Sequence, residues 1–378
     1  MKRTAVFLLI LMLAVTGCSS SASQGSGDAG KPTASAENEN TASIPSNENE
    51  TPVTPAPEND PEAAVGDTIY VSSMDTEMAL TAYGSHRAEA LKAAQEEILR
   101  LNDLLSVGVE TSDIARANRD GEVVMAEDTE ALVRASLDLY DKTGGLFDIT
   151  IYPLMDLWGF TTKRYYIPSD REIEAALDLV GSDRLSFSEN DHTLTLGAGQ
   201  AIDLGAIAKG YTSARIMEIF REHGVVSAMV SLGGNVQCLG TKPDGSAWRI
   251  GIQDPVSARG ETVAKLHITD EAVITSGSYE RYFADEESGE IYHHIIDPRT
   301  GRSANSGLTS VTVVCRDGAL ADGLSTSLFI MGMDVAFRFW QSGVYDFEAL
   351  FIDDAGKIYI TPGLGEMIYD TPGVTVLE

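Results

Sequence analysis

Between Ser85 and Leu105 the apolar residues fall at Leu91, Ala94, Ile98, Leu101 and Leu105. Steps of three and four place them on one face of an amphipathic helix. A second helix is predicted from about Thr129 to Lys142, stopping at Gly144-Gly145, where glycine accepts a left-handed conformation. Ser169 and Glu172 form a capping box at the head of a short helix reaching Val180. Ile207, Tyr211, Ala214, Met217 and Phe220 predict a helix over Ala206–His223, closed by Gly224. Further helices are expected over Ala319–Ile330 and around Val335–Trp340. Thr68–Ala82 alternates weakly and predicts one or two strands, interrupted at Met74-Asp75-Thr76. Strand-like runs follow at Leu194–Leu196, Val225–Leu232, Val236–Leu239, Trp248–Ile252, Ala264–Ile268, Ala272–Ile274 and Ser310–Cys315, most bounded by Gly, Pro or Asp. A hairpin over Leu350–Ile360 turns near Asp354 and Gly356. Leu146–Phe160 is expected to be an aromatic-rich loop around Pro153. Strands and helices mixed without βαβ alternation make the fold class α+β.

The first residues add a location. Lys2 and Arg3 precede an apolar run, Ala5–Val15, and then Thr16-Gly17-Cys18-Ser19. A basic head, a short apolar region and small residues make an export signal, too short to span a bilayer comfortably. The VTGC stretch resembles a bacterial lipobox. It implies cleavage after residue 17, a lipid on Cys18 and an extracytoplasmic chain tethered to a bacterial cell membrane. Residues 18–67, rich in Ser, Pro, Asn and Glu, cannot bury enough apolar surface to fold and read as an acidic stalk. Residues 68–378 then form the catalytic domain. A net charge of −30 and a pI near 4.4 argue against a nucleic-acid partner and against a polybasic membrane surface. Cys238 and Cys315 sit in apolar runs and read as buried free thiols, although pairing stays open. No Cys/His spacing suits zinc.

Three polar stretches carry the candidate chemistry. Tyr292–Gly301 (YHHIIDPRTG) holds two of the chain's six histidines. Neighbours on a strand point to opposite faces, so one of His293 and His294 reaches a cleft or solvent. Asp203–Gly210 (DLGAIAKG) reads as a strand-to-helix junction whose free N–H groups and Lys209 attract an anion, or as a tight turn with a surface lysine. In Ala321–Thr326 (ADGLST), Asp322 and Thr326 share a helix face. They offer hard oxygens of the kind Mg²⁺ accepts. The same spacing suits helix capping by Asp322 with Thr326 facing a strand. Together the three favour phosphate-ester or anhydride chemistry.

The blocks FDIT, PLMDLWGF, DLGAIAKGY, SLGGNVQ, GIQDP, ITSGSYERYF, HHIIDPRTG and ADGLST resemble, in order, the FAD:protein FMN transferases of the ApbE family. The resemblance implies an ApbE-like, T-fold-related architecture whose mixed sheets and packed helices form an FAD cleft. It implies transfer of the FMN half of FAD to a Ser or Thr hydroxyl of an exported flavoprotein, with AMP released. Asp322, Thr326 and the Ala206 carbonyl correspond to Mg²⁺ ligands. Met74, Phe147, Asp148, Asp203, Lys209 and Ile296 correspond to FAD contacts, and His294 to the base. Water in place of the acceptor would make the chain an FAD pyrophosphatase, and loss of chemistry a flavin-binding lipoprotein. Two positions depart from the family pattern. Gly323 stands where alanine is common, costing up to about 1 kcal/mol of helix propensity. Tyr152 stands where glycine is frequent, either on the cleft wall or in the core.

Overall fold

The computed structural model describes residues 60–257 and 260–378. Cys18, the signal and most of the stalk lie outside the described residues. A nine-stranded sheet runs in the order Gly66–Ser73, Thr76–Tyr83, Ala228–Leu232, Asn235–Leu239, Ala272–Gly277, Leu308–Cys315, Glu348–Asp353, Ile358–Ile360 and Val374–Val376. Its pairings are antiparallel up to the last, which is parallel. Eight helices accompany it among the described residues: α1 Arg87–Leu105, α2 Asp113–Asp120, α3 Glu127–Thr143, α4 Tyr152–Leu157, α5 Asp170–Leu177, α6 Ala208–Glu222, α7 Gly318–Met331 and α8 Met333–Gln341.

The near-continuous apolar run of Leu308–Cys315 follows from burial on both faces of the sheet. Val311, Val313 and Cys315 join the core beneath α7. Val314 packs with Trp248, Ile250 and Leu266 of the hairpin Trp248–Gln253/Thr262–Ile268. Helices α1 and α6 close a further core against the first strands through Leu91, Ile98, Ile216 and Phe220.

The expected helices and the Ser169–Glu172 capping box form as read. Cys238 and Cys315 are free and buried in separate cores. Two expectations need correction. Thr193–Thr195 belongs to a small separate sheet with Glu122–Val124 and Ser186–Ser188. Residues 196–207 therefore reach α6 as irregular chain, and no strand enters DLGAIAKG directly. The aromatic stretch is likewise not one loop. Pro153 occupies the first turn of α4, where its missing N–H costs nothing. Helix α2, capped by Ser112, carries charges on half of its positions, with only Ile114, Ala115 and Ala117 apolar, too few to announce it.

Candidate functional site

Helix α6 begins against the side of α7. A Cβ on Gly210 would lie 2.0 Å from the Gly318 carbonyl oxygen and 2.7 Å from the Asp322 Cβ, so only glycine permits this approach. In the contact it allows, the Gly210 N–H donates to Asp322 Oδ2 at 2.8 Å. The first turn of α6 is thus partly spent on a protein carboxylate, which corrects the picture of a wholly free anion nest. Asp322 caps α6 rather than its own helix, which Asp317 caps through the N–H groups of Ala319 and Leu320. Thr326 faces the sheet, its hydroxyl 3.1 Å from Ser276 Oγ.

Asp322 is a buried carboxylate short of partners. Desolvation pushes its pKa up, opposed by the Lys209 charge, the Gly210 N–H and the Asn235 amide. Asn235 Nδ2, buried beside it, leans toward this carboxylate but completes no hydrogen bond of normal geometry among the described residues. Lys209 makes no carboxylate ion pair among the described residues, its Nζ lying 3.4 Å from the Gly205 carbonyl. Asp203 Oδ1 accepts the Gly205 N–H at 2.8 Å. Burial raises its pKa against the backbone bond and the charges of Arg281 and Lys209.

The histidine pair divides as its strand geometry requires. Tyr282–Ala284 pairs with Ile291–His293, Tyr282 opposite His293. His293 is buried, its Nε2–H donating to the Ala304 carbonyl at 3.0 Å, its ring edge-on to Phe329. His294 points the other way and is half-buried. Its backbone N–H donates to the Arg281 carbonyl at 3.1 Å, making the two residues direct cross-strand neighbours on one face. The ring Nδ1–H donates to the same carbonyl at 3.2 Å, leaving the Nε2 lone pair as the proton acceptor. Desolvation, then the Arg281 charge, lower the His294 pKa to about 3. The imidazole is therefore neutral at physiological pH, as a base must be.

Arg281 lies within the ITSGSYERYF block, where no sequence pattern sets it apart. Its side chain is exposed and makes no ion pair among the described residues. Only strand register brings it beside His294. Tyr152 also feels this site: burial first, then the charges of Asp156 and Asp203, raise its phenol pKa. Its side chain is half-buried.

The other expected residues are placed differently. Met74 forms the tip of the first hairpin with Asp75, both at positive φ (48° and 59°). Its N–H donates to Asn102 Oδ1 at 3.2 Å, and the Thr212 hydroxyl lies 3.7 Å from its sulfur. Phe147 is a core residue under α7. Asp148 is buried and accepts from the Thr150 N–H and hydroxyl and from the Ser182 N–H and hydroxyl. Ile296 packs among Leu154, Trp158, Phe160 and Ile173. The side chains of these last three are committed to the fold, leaving the main chain as what can face a ligand there. Ala206 lies exposed in the turn before α6.

No group of three or more His, Cys, Asp or Glu among the described residues is arranged to hold a metal. One under-satisfied carboxylate, a hydroxyl and a turn carbonyl nevertheless fit a hard cation that takes its remaining oxygens from phosphate and water. The orphaned Asn235 donor beside Asp322 likewise fits a polar ligand.

A family model described as the ApbE family matches residues 74–351. An FAD:protein FMN transferase of Vibrio cholerae is 34% identical over 251 residues, covering 64% of this chain and 74% of the relative. One of Treponema pallidum is 30% identical over 319 residues, covering 78% and 87%. The crystal structure of the ApbE protein from Thermotoga maritima matches with a TM-score of 0.72 at 32% identity, covering 78% of this chain and 96% of that one. The flavin transferase ApbE from Vibrio cholerae matches with a TM-score of 0.71 at 28% identity, covering 80% and 99%. The α+β fold is ApbE-like, and the chain belongs to the ApbE family.

Proposed function

We propose that this chain is an FAD:protein FMN transferase. The observation that carries the reading is His294, a neutral imidazole of fixed tautomer on the same face as Arg281, close enough to Lys209 to feel its charge. In the reaction, His294 Nε2 takes the proton of an acceptor Ser or Thr hydroxyl. The oxygen attacks the FMN-side phosphorus of FAD, the P–O bond to the AMP half breaks, and AMP leaves. The product is a phosphoester-linked flavin. Lys209 and Arg281 supply positive charge where the pyrophosphate becomes more negative. Met74, Asp203 and Lys209, with the main chain around Phe147, Asp148 and Ile296, are the proposed FAD contacts. Mg²⁺ would be held by Asp322, Thr326 and the Ala206 carbonyl, and when bound neutralises phosphate charge.

The proposed setting is extracytoplasmic. Residues 1–17 would be a lipoprotein signal, Cys18 the membrane anchor and the following residues a stalk that ends before residue 60, since Asp60 and Glu62 bond Ser85 and Arg87 and the first strand begins at Gly66. The rest would be the catalytic domain, with an exported flavoprotein as acceptor. Mass spectrometry of a candidate acceptor after incubation with the chain, FAD and Mg²⁺ tests the function. A mass gain of one FMN less water on a hydroxyl residue is expected. Free FMN and AMP with several acceptors left unmodified would replace the transferase by a pyrophosphatase.

A further inference from the structure

Residues Gly159–Ile167 form a lip beside the site that the proposed reaction does not use. Gly159 has φ +78°, and a Cβ there would come within 2.0 Å of the Arg164 carbonyl oxygen. The chain thus folds tightly back on itself, with the Tyr166 N–H donating to the Trp158 carbonyl at 3.2 Å. Trp158 and Phe160 anchor its base in the core. Lys163 reaches Asp75 at the tip of the first hairpin, 3.6 Å away. What the lip turns outward is unusual: Tyr165, Tyr166 and Ile167 are consecutive and 45%, 48% and 39% exposed. The other large apolar side chains exposed to this degree among the described residues are scattered singly in the sequence, which is ordinary for a protein surface.

The lip lies one ring from the base. Tyr165 stacks on Phe283 at 4.9 Å, and Phe160 stands edge-on both to Tyr165 (5.7 Å) and to His294 (6.4 Å). Its own charges are positive, although Lys163 is paired with Asp75 and the Tyr166 hydroxyl bonds Glu172, which leaves Arg164 as its unpaired charge. Residues 159–167 hold Lys163 and Arg164 and no carboxylate, in a protein of net charge −30. Arg164 is exposed and makes no ion pair among the described residues, as Arg281 makes none on the adjacent strand.

We infer that this lip docks an acidic, extended segment of the acceptor protein and delivers its flanking hydroxyl to His294. The inference rests on the transferase reading. An acidic segment is repelled by most of this surface and drawn to the unpaired guanidinium groups of Arg164 and Arg281 at the site's edge, so charge steers it to the productive place. Three outward residues of extended chain span about 10 Å, enough to lie along a few residues of a partner strand.

Two synthetic peptides of equal length test this, each with one threonine, flanked by Asp and Glu in one and by Asn and Gln in the other. Their binding to the full chain loaded with FAD is followed by fluorescence anisotropy at low and high salt, for wild type, Arg164→Glu and Tyr166→Ala. The acidic peptide should bind at least about tenfold more tightly than the neutral one, lose that advantage in salt, and be weakened about tenfold by Arg164→Glu. FAD affinity should be unchanged in both variants. Equal binding of the two peptides, salt-independent binding or an unaffected Arg164→Glu variant would overturn the inference. So would a loss of FAD affinity in Arg164→Glu, which would give the lip to the cofactor instead. Because binding is read without chemistry, acidic-peptide binding with no FMN transfer to any hydroxyl would sink the transferase reading and leave the docking surface standing.

Discussion

Two buried carboxylates, Asp148 and Asp322, lie in neighbouring parts of the same core and are treated very differently. Around Asp148 the chain arranges four donors from Thr150 and Ser182. Around Asp322 it supplies one backbone N–H, a nearby amide with an orphaned donor and a lysine at a distance. Burial of a charge is costly unless hydrogen bonds and opposite charge offset it. Asp148 is offset and tethers residues 148–150 to 181–182. Asp322 is left short, and the shortfall is what a cation or a polar ligand can fill. The histidines differ in another way: each bonds a carbonyl through one ring nitrogen, but the unbonded nitrogen of His293 is sealed in the core, while that of His294 lies on the face it shares with Arg281. For the carboxylates satisfaction of polar atoms separates framework from site; for the histidines burial does.

The sharpest way to break this contrast is His294→Ala. Removing the base should lower FMN transfer about 10²- to 10⁴-fold, while FAD affinity measured by fluorescence quenching stays near wild type. An equal loss in both would recast His294 as a binding residue.

Exchanging the carboxylates comes next. Asp322→Asn should lower transfer about 10²- to 10³-fold and raise the melting temperature, because its buried charge opposes folding at neutral pH. The sign follows from the raised pKa: above the ordinary aspartate value the unfolded chain ionises freely and the fold does not. Asp148→Ala should do the reverse, costing roughly 3 kcal/mol in denaturant unfolding through its stranded donors, with turnover per folded molecule nearly unchanged. A stabilised Asp148→Ala or a destabilised Asp322→Asn would refute the comparison.

A smaller effect tests Arg281. With the His294 pKa near 3, the acid limb of kcat/KM for the free enzyme should fall well below the ordinary histidine value. Arg281→Gln removes a charge that lowers this pKa, so the limb should shift upward in pH. A shift downward would place the guanidinium elsewhere.

Gly323→Ala is the mildest change. Alanine gains about 1 kcal/mol of helix propensity, but its Cβ would lie 2.4 Å from Leu139 Cδ1 where α3 crosses α7. Net stability within about 1 kcal/mol of wild type is expected from thermal unfolding, and a clear gain would show that Leu139 yields freely. The glycine is thus a helix-crossing residue, which propensity alone could not reveal.

Much of this was written locally. Apolar spacing gave α1 and α6 their positions, because each buries one stripe, whereas α7 is buried on nearly every side. The apolar run Ser310–Cys315 announced a strand covered on both sides. The blocks around His294, Lys209 and Asp322 carried the family and its chemistry. What the chain alone left open was decided by neighbours distant in sequence. That Asp322 caps α6 depends on Gly210 letting two helices touch. That His294 rather than His293 is the imidazole outside the core depends on which face Phe329 and Ala304 occupy. Arg281 stands beside His294 only through strand register, and the Asp148 side chain is drawn into the fold because Ser182 arrives with two donors. Periodicity records which way a side chain faces; whether its polar atoms find partners is settled by packing, since those partners come from elsewhere in the chain.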